Sequence, residues 1–139
     1  MLLESGGPFL GPAEFAQHQR AMREYFGLSV GPPVDLWPQA PRGGGPPRAL
    51  ARGPKSGGSN RPIPYVRYVW PRCSVVRDFS RAVPVAGNGG EVIARMPGFP
   101  VAIKRRVANG LLILLGSPLG PALNWRDREA LSWLGSVVP

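Results

Sequence analysis

Leu111-Leu112-Ile113-Leu114-Leu115 is apolar at every position, with Asn109-Gly110 before it and Gly116-Ser117-Pro118-Leu119-Gly120-Pro121 after it. A strand with one wet face alternates polar and apolar residues. This run does not alternate, so it reads as a strand covered on both faces, as central strands of layered α/β sheets are. It is far too short to cross a bilayer. Asn109-Gly110 favours positive φ at both positions and predicts a tight hairpin turn leading into the strand. The Gly/Ser/Pro loop behind it predicts neither a strand nor the start of a regular helix. The end of a buried strand is where open α/β sheets bind ligands, so Gly116, Ser117 and Gly120 are candidate ligand-loop residues.

The rest of the chain is arranged around this strand. Leu2 and Leu3 read as the tail of a buried strand, followed by the loop Glu4-Ser5-Gly6-Gly7-Pro8. Gly11-Pro12 opens a helix over Ala13 to Phe26, with Phe15, Met22 and Phe26 on one face and Gly27 placed for a left-handed cap onto which Leu28 folds. Strands are predicted over Ile63–Trp70, Cys73–Phe79, Ala82–Val85, Glu91–Met96 and Pro100–Val107. A last helix is predicted from Asn124 as N-cap, with Ala130, Leu131, Leu134 and Val138 toward the core and Trp125 and Trp133 at its flanks.

Residues 38–62 read PQAPRGGGPPRALARGPKSGGSNRP and offer almost nothing to bury. The chain holds 19 Gly and 18 Pro, and their concentration here marks a flexible loop or linker. The expected organisation is one α/β domain: strand, loop and helix over 1–37, the linker over 38–62, and a β-rich remainder with a C-terminal helix over 63–139.

The net charge is +9, and only Lys55 and Lys104 among the 17 basic residues are lysines. Arginine binds phosphate through bidentate contacts. Arg61, Arg67, Arg72, Arg77 and Arg81 interleave with Tyr65, Tyr68, Trp70 and Phe79, a pattern that can bind single strands by charge and stacking but that also serves ordinary strand cores. With Cys73 as the one cysteine, no intrachain disulfide forms, which fits a reducing, cytoplasmic setting. No signal-like or membrane-spanning segment is read, and no membrane partner is expected.

Catalytic patterns are weak. Cys73 lies in Pro71-Arg72-Cys73-Ser74-Val75, a strand-like context without a nucleophile elbow, and reads as a buried or half-buried structural residue. His18 sits on the first helix between Gln17 and Gln19. One Cys and one His make no zinc site, and no cofactor is implied. Glu14, Glu24, Asp127 and Glu129 read as helix charges. Glu4 is different: it follows apolar residues at a strand end beside a Gly-rich turn, which suits a carboxylate that binds a ligand or organises a loop. Ser5-Gly6-Gly7 and Gly116-Ser117 could present backbone N–H groups to an anion, though neither fits a phosphate-loop motif.

Two segments resemble class I glutamine amidotransferase-like (ThuA-like) domains. Leu2-Leu3-Glu4-Ser5-Gly6-Gly7-Pro8-Phe9 is similar to their strand-then-loop, and Asn109 to Gly120 to their late strand ending in Gly-Ser, with Phe99-Pro100-Val101-Ala102-Ile103 matching the strand before it. The resemblance covers roughly the first 35 and last 60 residues. It implies a partial flavodoxin-like, three-layer α/β fold with a mainly parallel sheet, ending in a β-hairpin, strand and helix. Active members carry a Cys on an elbow and a His after a late strand. Here Ser117-Pro118 stands at that late position, so no catalytic residue carries over. The early strands before Leu2 are missing, which implies a degenerate member truncated at its N-terminus and an exposed sheet edge for self-association or a protein partner. The expected function is non-catalytic binding of a partner or small ligand through the strand-end loops Glu4-Ser5-Gly6-Gly7 and Gly116-Ser117 to Gly120. The alternative is a basic nucleic-acid-binding protein.

Overall fold

The computed structural model describes residues 1–4, 11–35, 64–78 and 81–138. In chain order they form β1 (Leu2–Glu4), α1 (Pro12–Phe26), β2 (Leu28–Val30), β3 (Val34–Asp35), β4 (Tyr65–Tyr68), β5 (Ser74–Arg77), β6 (Arg81–Ala82), β7 (Val85–Gly87), β8 (Glu91–Met96), β9 (Phe99–Val107), β10 (Gly110–Leu115), α2 (Gly120–Asn124) and α3 (Arg128–Val137). The linker expected over 38–62 and the candidate loop residues Ser5, Gly6 and Gly7 lie outside the described residues.

The architecture is a mixed α/β fold in layers. A six-stranded sheet runs in the order β1-β10-β9-β8-β4-β5, with two-stranded ladders β2-β7 and β3-β6 beside it. β1 pairs with β10 in parallel. The other pairs of the main sheet are antiparallel, so the parallel character that the resemblance implies is confined to one pair. Short turns between sequential strands account for this, because a parallel neighbour needs a long crossover. The hairpin, apolar strand and C-terminal helix appear in the expected order.

β10 is covered on both faces, as its unbroken apolar run predicts. Leu112 and Leu114 pack with Ile103, Met22, Leu28, Val83 and Val85, under α1 and the β2-β7 ladder. Ile113 and Leu115 pack on the opposite side with Tyr68, Ala102, Leu119, Ala130 and Trp133, under α2 and α3. Each such side chain contributes about 2 kcal/mol relative to exposure. The two-sided burial also sets the hairpin register, since a one-residue slip would exchange the two apolar sets. The turn accordingly falls one residue earlier than expected. Val107 pairs with Gly110, and Ala108 rather than Gly110 takes a positive φ of 50°.

α1 matches its prediction closely. The Gly11 N–H donates to the Glu14 carboxylate at 2.8 Å, and Gly27 ends the helix at φ 61°. Leu28 beyond it is fully buried. The Arg105 guanidinium donates to the Phe26 carbonyl at 2.7 Å, placing a cation on the negative end of the helix dipole. The Gln19 amide donates to the Val30 carbonyl at 2.7 Å and ties the end of β2 back to α1.

Several expectations need correction, among them the inward placement of Leu131 and Val138, which are exposed on and just after the last helix. The strand expected over Ala82–Val85 is split into β6 and β7 around Val83-Pro84, because proline cannot donate to a ladder. Gly120-Pro121 begins a helix, α2, since proline suits the first helical turn. Asn124 therefore ends α2 instead of capping the last helix. Arg126 takes a positive φ of 54°, and α3 restarts with Asp127 as N-cap, whose carboxylate accepts the Ala130 N–H at 3.0 Å. Trp133, expected as a flank, is 0% exposed, while Trp125 is 73% exposed. Trp133 belongs to the core cluster under the sheet, packs on the Tyr68 ring, and its indole N–H donates to the Trp70 carbonyl at 2.8 Å. Finally, Cys73 is exposed, because it lies in the turn between β4 and β5 just outside the strand.

Candidate functional site

The end of β10 and the end of β1 lie side by side, because Leu115 and Glu4 are register partners. The loop Gly116–Leu119 leaves the sheet there. Its first residue is held by backbone bonds on two sides: the Gly116 N–H donates to the Val101 carbonyl at 2.6 Å, and the Val83 N–H donates to the Gly116 carbonyl at 2.8 Å. A Cβ at Gly116 would run into the Val83 carbonyl oxygen and approach the Val85 side chain at 2.9 Å. Glycine is required here for close approach of backbone, and its φ is not among the positive ones.

Two side-chain bonds fasten the rest of the loop. The Glu4 carboxylate accepts the Leu119 N–H at 2.8 Å, across 115 residues of chain. The Ser117 hydroxyl donates to the Asp78 carboxylate at 3.0 Å. Glu4 is thus seen as an organiser of the loop, one of the two roles expected of it. Ser117 is 5% exposed and Asp78 is 0% exposed. A hydroxyl donating to a carboxylate has the form of a nucleophile and its base, but a reacting group must meet its substrate, and this pair is sealed within the fold. Gly116 and Ser117 are thus brought together with Glu4, while Gly120 stands exposed at the start of α2.

Sequence reasoning missed Asp78. A weaker signal was present: Asp78 closes the strand Ser74-Val75-Val76-Arg77 as Glu4 closes Leu2-Leu3, but with an arginine between it and the apolar residues. Tyr68 completes the cluster. Ser74, Tyr68, Ala94, Ala102, Leu115 and Glu4 form one row of register partners across all the strands of the sheet. Tyr68 is buried and packs against Trp133 with ring centroids 4.3 Å apart. Burial first, and then the Glu4 and Asp78 carboxylates, push its phenol well above the usual tyrosine range.

That shift has a sign. The folded chain keeps the Tyr68 proton to higher pH than the unfolded chain, whose phenol titrates near 10.0. Stability is therefore intact below that value and falls as the pH rises beyond it. In an alkaline titration followed by tyrosinate absorbance, one phenol of the three is expected to ionise only as the circular dichroism of the fold is lost. Tyr68→Phe is expected to flatten this alkaline loss.

The two other candidates stand apart from the cluster. His18 lies half-buried on α1, where partial burial lowers its pKa. Cys73 lies in the turn between β4 and β5. A concavity lies at the opposite, hairpin end of β10. It is a groove of about 660 Å³ whose lining includes Trp70, Glu91, Lys104, Arg106 and Asn109. The Lys104 ammonium sits 4.6 Å from the Trp70 ring centroid and 3.1 Å from the Glu91 carboxylate, so both neighbours already engage it.

Among the described residues, no group of three or more His, Cys, Asp or Glu side chains is placed to hold a metal ion. Among the same residues, no helix is long and apolar enough to cross a membrane.

No family model matches the chain. No curated protein matches it in sequence. Among solved structures it is similar to the exo-beta-1,4-mannosidase Op5Man5 from Opitutaceae bacterium strain TAV5, with a TM-score of 0.54 and 15% identity over 99% of this chain and 20% of that one. At this identity the likeness is one of fold. The chain spans about a fifth of the length of that enzyme.

Proposed function

We propose that this chain is a non-catalytic, amidotransferase-like α/β domain that binds a partner or small ligand through its strand-end loops. The observation that carries this reading is the fastening of the loop after β10 to the end of β1 by the Glu4–Leu119 bond. A loop held from both sides loses little entropy on binding, which favours recognition. The same fastening engages the polar groups there, and the Ser117–Asp78 pair is buried rather than offered to a substrate. The amidotransferase-like kinship rests on the Leu2–Phe9 and Asn109–Gly120 segments, and Ser117-Pro118 stands where active members of that family carry a histidine.

The sheet edge extends this surface. β1 is the outermost strand, and among the described residues no strand pairs with its outer side. The main-chain groups on that side can take a strand from a partner or from a second copy.

The test is amide chemical-shift mapping with a fragment library, alongside an assay of ammonia release from glutamine. The reading expects shifts clustered on Gly116 to Gly120 and β1, and no turnover. Glutamine turnover that disappears in Ser117→Ala or Cys73→Ser would overturn it, as would shifts that consistently avoid the strand-end loops.

A further inference from the structure

Among the described residues, one stretch of the main sheet lacks the cover that α1 gives elsewhere. On the face shared by Leu112, Leu114 and Ile103, α1 and the β2-β7 ladder cover β10 and β9. Farther along, Tyr65, Arg67 and Val69 follow one another at alternate positions along the β4 segment and are exposed, as are Val75 on β5 and Arg95 on β8. Register places Arg67 directly opposite Val75 on one side and directly opposite Arg95 on the other.

Two arginines facing each other across adjacent strands repel, and like charges in this position destabilise a sheet. Neither has an ion pair among the described residues. The acid that shares a concavity of about 600 Å³ with Arg67 is Glu129, and it faces Arg72 at 3.8 Å. The 38–62 segment carries Arg42, Arg48, Arg52, Lys55 and Arg61 and no acid, so it supplies no counter-charge. A cost that the fold does not recover is expected where function requires it.

We propose that this open sheet face binds single-stranded nucleic acid. Arg67 and Arg95 take phosphates, and Tyr65 offers its ring to a base. The chemistry favours nucleic acid over an acidic peptide for three reasons. The cations are arginines, which fork onto phosphate and stack on bases. An exposed aromatic lies two residues from one of them. The flanking Val69 and Val75 are apolar and exposed, which suits base faces better than carboxylates. None of Tyr65, Arg67, Val69, Val75 and Arg95 belongs to the strand-end loops, so variants of one set leave the other intact and either reading can fail without the other.

The test is fluorescence anisotropy with a labelled oligothymidylate of about 15 nucleotides, at about 50 and 200 mM salt. Wild type is expected to bind at low salt and weaken steeply at high salt. Arg67→Glu with Arg95→Glu is expected to weaken binding at least about tenfold, against about threefold or less for the exposed control pair Arg106→Glu with Arg128→Glu, which changes the net charge equally. Tyr65→Ala is expected to weaken binding several-fold. Arg67→Gln with Arg95→Gln removes the repulsion, so its melting temperature is expected to equal or exceed that of wild type while binding falls. The proposal is overturned if wild type does not bind at low salt, if face and control variants lose alike, if Tyr65→Ala binds like wild type, or if polyglutamate displaces the oligonucleotide at equal charge.

Discussion

Gly116→Ala will destabilise the fold by about 3 kcal/mol and lower its melting temperature by about 10 °C. The added methyl has no free space. It would meet the Val83 carbonyl oxygen, the Val85 side chain at 2.9 Å and the Val101 carbonyl oxygen at 3.2 Å. Two of these are backbone atoms of neighbouring segments, so no rotamer change relieves the contact. The Gly116 N–H and C=O are also bonded to Val101 and Val83, and moving the chain to admit a methyl strains both bonds. Gly120→Ala is the control. Nothing lies within 4 Å of a Cβ there, and the position opens α2, so this change is expected to be neutral or slightly stabilising. Thermal melts of the two variants check the contrast.

Trp133→Ala is expected to cost more, about 4 kcal/mol. The indole is fully buried among residues of the sheet, α2 and α3, and its removal leaves a cavity that the packed sheet cannot close. It also leaves the Trp70 carbonyl without the indole donor. Trp133→Phe separates the two effects. It keeps most of the volume and the packing on Tyr68, and is expected to cost about 2 kcal/mol. Denaturant midpoints for the series will show the order wild type, Phe, Ala. If Ala and Phe cost the same, the ring packing contributes little and the account of this core is wrong.

The parts of this fold that sequence reveals are those set by local chemistry. α1 carries its own start at Gly11-Pro12 and its own stop at Gly27, so its bounds follow from residues a few positions apart. The unbroken apolar run of β10 announces two-sided burial, and the structure supplies a layer on each side. Glu4 stands out because an acid at the end of an apolar strand is unusual, and it does hold a loop.

The parts that stay hidden depend on which distant segments meet. Asp78 closes a strand as Glu4 does, but Arg77 precedes it and its partner Ser117 lies 39 residues away. Trp133 is a flank or a core residue according to what covers α3, and the restart of that helix at Asp127 turns it inward. The Arg67–Arg95 juxtaposition exists only through register, since β4 and β8 are brought together by the sheet and not by sequence. The hairpin turn fell one residue from its expected place because burial of two faces outweighed the turn preference of Asn109-Gly110.

The strand end as a fastened binding surface is tested most directly by amide hydrogen exchange at Leu119. In wild type the Leu119 N–H is held by the Glu4 carboxylate at 2.8 Å and is expected to be protected. In Glu4→Ala its protection is expected to fall about tenfold, which corresponds to about 1.4 kcal/mol, with the amides of Leu114 and Ile103 unchanged. Equal exchange of Leu119 in the two proteins would contradict the account, because the loop would then be held in place without Glu4.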